Sequence, residues 1–260
     1  MFPDASTLAQ AAAAELARVV SEAVAARGSA SVVLTGGSMG TALMTALSGE
    51  DGGPPVAAPW SSVQVWWGDE RFLPAGDPDR NDTQADTAGL GRLITVGLNP
   101  SNVHRLPGPD EPGDPGDPSD SDDFERAARQ YAARLDEAVP KDRAFDVVLL
   151  GMGPDGHVAS LFPHHPSTAA AANPDVSVIA VQDSPKPPPQ RLSLTLPRLN
   201  AARQVWFLVT GEDKAPAVRR ARTTDDPQEC PAGAVRGLEA TLWWLDDGAA
   251  EAGTSGLPSA

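Results

Sequence analysis

Residues 145–163 read Phe-Asp-Val-Val-Leu-Leu-Gly-Met-Gly-Pro-Asp-Gly-His-Val-Ala-Ser-Leu-Phe-Pro. A run of strand length, 145–150, enters a turn with three glycines (Gly151, Gly153, Gly156) that delivers Asp155 and His157. A mostly apolar run with that punctuation predicts a strand of a parallel sheet, whose carboxyl end opens a ligand site. Glycine lets the backbone approach a ligand or take a positive φ. Histidine is the side chain best matched to proton transfer near neutral pH, so His157 is the candidate general base, with Asp155 beside it. A histidine at a strand end also often serves as a satisfied polar group, so the rest of the chain has to separate the two readings.

Working outward, residues 6–27 carry Leu8, Leu16, Val19, Val20 and Val24 on one helical face and stop at Gly28. Ser31–Thr35 follows as a buried strand, Gly36-Gly37-Ser38 breaks it, and Met39–Leu47 reads as the next helix. After a Gly/Pro-rich linker at 49–59 comes a strand, Val63–Trp67, with Gly68-Asp69-Glu70-Arg71 at its carboxyl end. Helical spacing over 83–95, 122–138 and 212–222 alternates with strands at 176–181, 191–196, 204–210 and 240–245. This order predicts an α/β fold, a mainly parallel sheet with helices on both faces, in one domain spanning 1–260. The stretch 107–121, dense in Pro, Gly and Asp, is expected as a mobile acidic loop, and 247–260 as a disordered tail.

The formal charge is −15, from 35 acidic and 20 basic residues, which argues against nucleic acid or an anionic membrane as partner. Eight of the acids lie between Asp110 and Glu125 in a stretch without Lys or Arg, so much of the excess is local. A single cysteine, Cys230, rules out an internal disulfide and fits a reducing, cytoplasmic setting. The Ala-rich start is broken by Glu15, Arg18 and Glu22, so it reads as an amphipathic helix rather than a signal peptide.

Gly36-Gly37-Ser38 joins a strand to a helix, where free backbone N–H groups and the helix dipole favour an anion and Ser38 adds a hydroxyl donor. A Gly-Gly turn before a helix is also commonplace, and neither a Walker lysine nor a dinucleotide fingerprint accompanies it. Asp69, Glu70 and Arg71 must be solvated or paired in a cleft. Arg191 and Lys214 are isolated cations near a predicted strand or helix start, where a surface ion pair is the default. Three cations and a helix N-terminus around one sheet edge nevertheless match what a sugar phosphate needs. His164 and His165 invite a metal reading with His157, but Pro163 and Pro166 bracket them and no further ligand completes a set, so no metal is expected. In each of the pairs Trp66-Trp67 and Trp243-Trp244, strand alternation expects one ring in the core and the other outside it, and His104 is expected on a surface strand.

Several blocks, in order, resemble the glucosamine-6-phosphate isomerase/6-phosphogluconolactonase family. They are Leu-Thr-Gly-Gly-Ser (34–38), Trp-Trp-Gly-Asp-Glu-Arg-Phe-Leu-Pro (66–74), Arg-Asn-Asp-Thr-Gln-Ala (80–85), the 151–163 block, 185–195 and Val-Thr-Gly-Glu-Asp-Lys (209–214). The resemblance spans roughly 5–246 and is to the lactonase branch. It implies a Rossmann-like three-layer sandwich and hydrolysis of 6-phospho-D-glucono-1,5-lactone to 6-phospho-D-gluconate, in the oxidative pentose phosphate pathway, without a cofactor. His157 then resembles the base that activates water, Asp155 its partner, and Arg71 the arginine that contacts substrate. Arg191 and Lys214 resemble the phosphate cations, Gly36, Gly37 and Ser38 the phosphate loop, and Asp69, Asn81 and Gly153 further substrate-contacting positions. The expected partner is a small phosphorylated sugar lactone, bound by a monomer or small homo-oligomer.

The deaminase branch has Asp-Glu-Tyr where this chain has Asp69-Glu70-Arg71, and Phe-Asn-Glu-Pro where it has Ser160-Leu161-Phe162-Pro163. A deaminase/isomerase and a non-catalytic sugar-phosphate binder are therefore the competing readings. Two departures stand out from the family pattern: Met39-Gly40 replaces Thr-Pro, and Gly233 replaces a serine.

Overall fold

The computed structural model describes residues 1–109, 123–140 and 143–250. In chain order the elements are α1 (Ala5–Arg27), β1 (Ala30–Leu34), α2 (Gly37–Ser48), β2 (Val63–Trp67), β3 (Asp69–Arg71), α3 (Asn81–Thr87), α4 (Leu90–Thr95) and α5 (Asp123–Ala138). They continue as β4 (Val147–Leu150), α6 (Pro166–Ala170), β5 (Val178–Val181), β6 (Arg191–Leu194), α7 (Leu196–Asn200), β7 (Gln204–Val209), α8 (Ala215–Ala221), β8 (Ala240–Leu245) and α9 (Asp247–Ala250).

The central sheet has the order β2-β1-β4-β7-β8, and every pair in it is parallel. Helices pack around it, as the strand–helix alternation predicts. From β1 the chain goes one way to β2, while β4, β7 and β8 continue on the other side. The order therefore reverses between β1 and β4. In a parallel sheet this is where adjacent strand–helix loops diverge and leave a crevice. The Gly36-Gly37-Ser38 loop and the Gly151–His157 turn leave the carboxyl ends of these two strands, and so face each other.

α1 shows how local chemistry sets the ends. The Asp4 side chain accepts from the Thr7 N–H at 2.8 Å, and Gly28 closes the helix at φ 80°, donating to the Val24 carbonyl.

Several expectations are corrected. Asp69-Glu70-Arg71 is not merely the charged end of the preceding strand but a strand of its own, β3, antiparallel to β6, which pairs antiparallel with β5 in a second three-stranded sheet. The helix expected over 83–95 starts at Asn81 and breaks at Gly89, where φ is 105°, leaving α3 and α4. Trp66 and Trp67 are both fully buried, because β2 belongs to a parallel sheet covered on both faces rather than to a half-exposed strand. Trp243 and Trp244 are both partly buried. His104 is half-buried, stacked on Trp66 at 3.8 Å and bonded to Gln64 Oε1 at 2.5 Å. Of the expected acidic loop, 110–121 lies outside the described residues, while Pro107 and Gly108 are buried in the fold. Of the expected tail, 251–260 lies outside them, and 247–250 is a helix with Ala249 buried.

Candidate active site

A cleft of about 230 Å³ opens at the carboxyl ends of β1 and β4. Gly36, Gly37 and Ser38 line it on one side, and Gly153 and His157 on the other. Asp69, Arg71, Asn81, Lys186, Arg191 and Lys214 close it. Thus the structure brings together every site residue expected from sequence except Asp155, which stands behind His157 and not on the wall.

The β4 turn is shaped by what glycine leaves empty. A Cβ on Gly153 would lie 2.0 Å from His157 Nδ1 and 2.3 Å from Asp155 Oδ1, so only glycine leaves room for the pair. Gly156 takes φ 88°, and its N–H donates to the Gly153 carbonyl at 2.9 Å, while the Gly153 N–H donates to the His157 carbonyl at 3.1 Å. These bonds hold the imidazole against Asp155, with Nδ1 2.5 Å from Oδ1. Nε2 is then the nitrogen left for chemistry in the cleft. Phe162 backs the ring at 4.7 Å between centroids. Burial disfavours the Asp155 carboxylate, yet the His157 ring and the Lys186 ammonium outweigh it and hold the group well below the usual carboxylate range.

Across the cleft, α2 has Gly36 as its N-cap and so no side-chain cap, which leaves its first N–H groups free for an anion. Thr35 Oγ1 accepts from the Gly151 N–H at 3.0 Å and ties this loop to the β4 turn. Gly36 is needed for closeness, since a Cβ there would sit 1.8 Å from Asn81 Oδ1. Asn81 donates from Nδ2 to the Asp69 carbonyl at 2.8 Å, and its buried Oδ1 has no protein partner. At the two glycines that depart from the family pattern this backbone leaves no room for a side chain: a Cβ on Gly40 would meet the Thr35 carbonyl oxygen at 2.0 Å, and one on Gly233 the Thr224 carbonyl oxygen at 2.1 Å.

Strand alternation explains the Asp-Glu-Arg block. Asp69 and Arg71 line the cleft, whereas Glu70 is turned away and fully buried. Glu70 accepts from the main-chain N–H groups of Arg71, Asn81 and Asp82 at 2.7–2.9 Å, which fixes the start of α3 and with it Asn81. Burial and the Asp82 carboxylate push the Glu70 carboxyl up to about 7, while those N–H donors and Arg80 favour its ionised form. Asp69 Oδ2 accepts from the buried Ser160 hydroxyl at 2.7 Å, and Arg71 donates from Nη1 to the Asp79 carbonyl.

Arg191 and Lys214 reach the cleft from β6 and the turn before α8. The Arg191 guanidinium donates to the carbonyls of Lys186, Pro187 and Pro188 at 2.9–3.2 Å. Lys214 pairs with Asp213 at 3.0 Å. Sequence reading missed Lys186, whose Nζ lies 3.2 Å from His157 Nδ1 and 3.6 Å from Asp155 Oδ1. Its only signal was a lone cation inside a proline run, Pro185-Lys186-Pro187-Pro188-Pro189, which reads as a connector. Ser160 and Glu70 were missed as supports for Asp69 and Asn81. His165 binds its neighbour Ser167 rather than facing His157, and among the described residues no group of three or more His, Cys, Asp or Glu is arranged to hold a metal. No helix among them is long and apolar enough to cross a membrane.

A helix N-terminus, several cations and a hydrogen-bonded Asp–His pair around one cleft suit a small phosphorylated molecule that is to undergo proton-assisted chemistry. The family model of glucosamine-6-phosphate isomerases/6-phosphogluconolactonase matches residues 3–244, and the chain belongs to that family. It is 49% identical to a 6-phosphogluconolactonase of Streptomyces coelicolor, over 95% of this chain and 91% of the relative. To a human 6-phosphogluconolactonase it is 36% identical, over 91% and 88%. The fold is similar to that of a 6-phosphogluconolactonase from Trypanosoma brucei, with TM-score 0.78, 25% identity and 97% of each chain covered. A monomeric glucosamine-6-phosphate deaminase, at 19% identity and TM-score 0.70, shares the fold.

Proposed function

We propose that this chain hydrolyses 6-phospho-D-glucono-1,5-lactone to 6-phospho-D-gluconate, in the cytoplasm, as one folded unit. The observation that carries the mechanism is the Asp155–His157 contact of 2.5 Å, set opposite the free N-terminus of α2 within one cleft. Gly36, Gly37, Ser38, Arg191 and Lys214 hold the phosphate. This places the lactone ring over Asp69 and Asn81, whose oxygens accept from its hydroxyls, and beside Arg71.

His157 takes a proton from water through Nε2 as the water oxygen attacks the carbonyl carbon. Asp155 keeps the ring oriented and stabilises the imidazolium. The tetrahedral intermediate then collapses, the bond from carbonyl carbon to ring oxygen breaks, and the imidazolium returns its proton to that oxygen. The carboxylic acid formed ionises to the product. A lactone is reactive enough that this route needs no covalent nucleophile.

Similarity to lactonases, at 49% identity to one and 36% to another, supports this reading, and so does Arg71 in a strand where the deaminase branch has tyrosine. The test is acid release from the phosphorylated lactone and from unphosphorylated gluconolactone, each against its spontaneous hydrolysis. Acceleration of the phosphorylated substrate well above the other is expected. No acceleration of either would overturn the reading in favour of a silent binder.

A further inference from the structure

We propose that Lys186 is a catalytic residue, its ammonium neutralising the charge that develops on the lactone carbonyl oxygen as water adds. The proposal rests on the lactonase reading above and assigns a role that reading leaves open.

Among the described residues four cations line the cleft, and three have their protein partners away from the imidazole. Arg191 spends Nε and Nη2 on three carbonyls, Lys214 lies against Asp213, and Arg71 donates to the Asp79 carbonyl. Lys186 is the one placed against the imidazole, 3.2 Å from Nδ1. That nitrogen has a single hydrogen or a single lone pair, so it serves one neighbour at a time. Asp155, at 2.5 Å and ionised, takes the Nδ1 hydrogen. The ring then offers Lys186 no acceptor; Asp155 Oδ1 lies 3.6 Å from the ammonium, and the side chain, 39% exposed, keeps donors for the cleft.

Its position is fixed from behind. The Lys186 carbonyl accepts from Arg191 at 3.1 Å and from the Ser184 hydroxyl at 3.0 Å, and its N–H donates to that hydroxyl at 3.3 Å. Burial and the charges of Lys214 and Arg191 push the ammonium below the usual lysine range, against the pull of Asp155. An ammonium among like charges gains most when an anion forms beside it.

Water adds through oxygen to the carbonyl carbon, one water proton passes to His157 Nε2, and the carbonyl π pair becomes an oxyanion facing Lys186. Without that oxyanion, imidazolium and ammonium would repel at close range, so Lys186 favours the two charges forming together. When the oxyanion collapses, the ring oxygen leaves and takes the proton back from His157.

The test uses Lys186→Met, Lys186→Arg and Lys186→Cys, the last also after alkylation with 2-bromoethylamine, which rebuilds a lysine-like cation. Cys230 is fully buried, so alkylation is confined to the new thiol. Lys186→Met should lower kcat by roughly 10²–10³ with KM little changed, by the same factor on phosphorylated and unphosphorylated lactone. Lys186→Arg should recover part of the loss, and alkylated Lys186→Cys most of it. A raised KM with kcat retained, confined to the phosphorylated lactone, would make Lys186 a phosphate cation and overturn the proposal. So would a kcat that alkylation fails to restore in a variant with wild-type circular dichroism. Wild-type protein inactive on both lactones would bring down the parent reading instead, and the proposal with it.

Discussion

β4 carries a carboxylate at each end. Just before its first residue, Asp146 accepts from the Ser31 N–H at 2.8 Å and from Arg27, with Arg203 3.8 Å away. Its oxygens face main chain and arginine, and its side chain is only 7% exposed. Past the other end, Asp155 meets an imidazole and an ammonium beside an open cleft, with its side chain 36% exposed. One strand thus places two acids in opposite roles. Asp146 pins the neighbouring strand β1, because every oxygen is answered by a fixed donor. In the proposed reaction Asp155 answers an imidazole that takes up and returns a proton, so its charge serves chemistry. In that proposed reaction a carboxylate becomes functional through its partner.

The comparison breaks most sharply at His157. Replacing it with alanine should lower kcat by roughly 10²–10⁴ while the fold survives, whereas no substitution at Asp146 should approach that in kcat. Near-wild-type turnover in His157→Ala, measured with the phosphorylated lactone, would remove the base from the account. Gly153→Ala comes next. The added carbon would push the imidazole off Asp155, and a shift of about 1 Å is worth roughly 10² in kcat.

Lys214→Ala should raise KM by about tenfold or more on the phosphorylated lactone, from loss of a charge-assisted contact. Arg191→Ala should also reduce kcat, because that guanidinium holds the carbonyl of Lys186. Initial rates over a substrate range separate the two. Asp146→Asn should leave kcat unchanged and destabilise the fold by about 1–3 kcal/mol, read from denaturant midpoints.

The smallest expected effect is in pH. Asp155 is depressed in the folded state, so its contribution to stability is complete above its unfolded value, near 3.8, and is lost as pH falls through the lower folded one. The Tm difference between wild type and Asp155→Asn should therefore be largest above about pH 5 and shrink in acid. A difference that grows as pH falls would contradict the assignment.

What the sequence reveals of this fold depends on how locally it is written. β4 and its turn are legible because an apolar run and three glycines occupy one continuous stretch. In the antiparallel sheet β5 and β6 are legible as strands within 176–181 and 191–196, but β3 and the pairing are not, since β3 is three residues long and wholly charged. The site divides the same way. The Asp155–His157 pair and the Gly36-Gly37 loop are each contiguous, whereas Lys186 reaches the imidazole across 29 residues and Ser160 reaches Asp69 across 91. Those contacts exist only once β3 and β6 have paired.

The most direct test of the contrast between the two acids is a double-mutant cycle on kcat with Asp155→Asn, His157→Ala and the pair. If Asp155 acts through the imidazole, Asp155→Asn costs roughly 10² or more in the wild-type background and almost nothing once His157 is gone. Equal, multiplying losses in both backgrounds would show that Asp155 serves the fold, as Asp146 does, and would contradict the account.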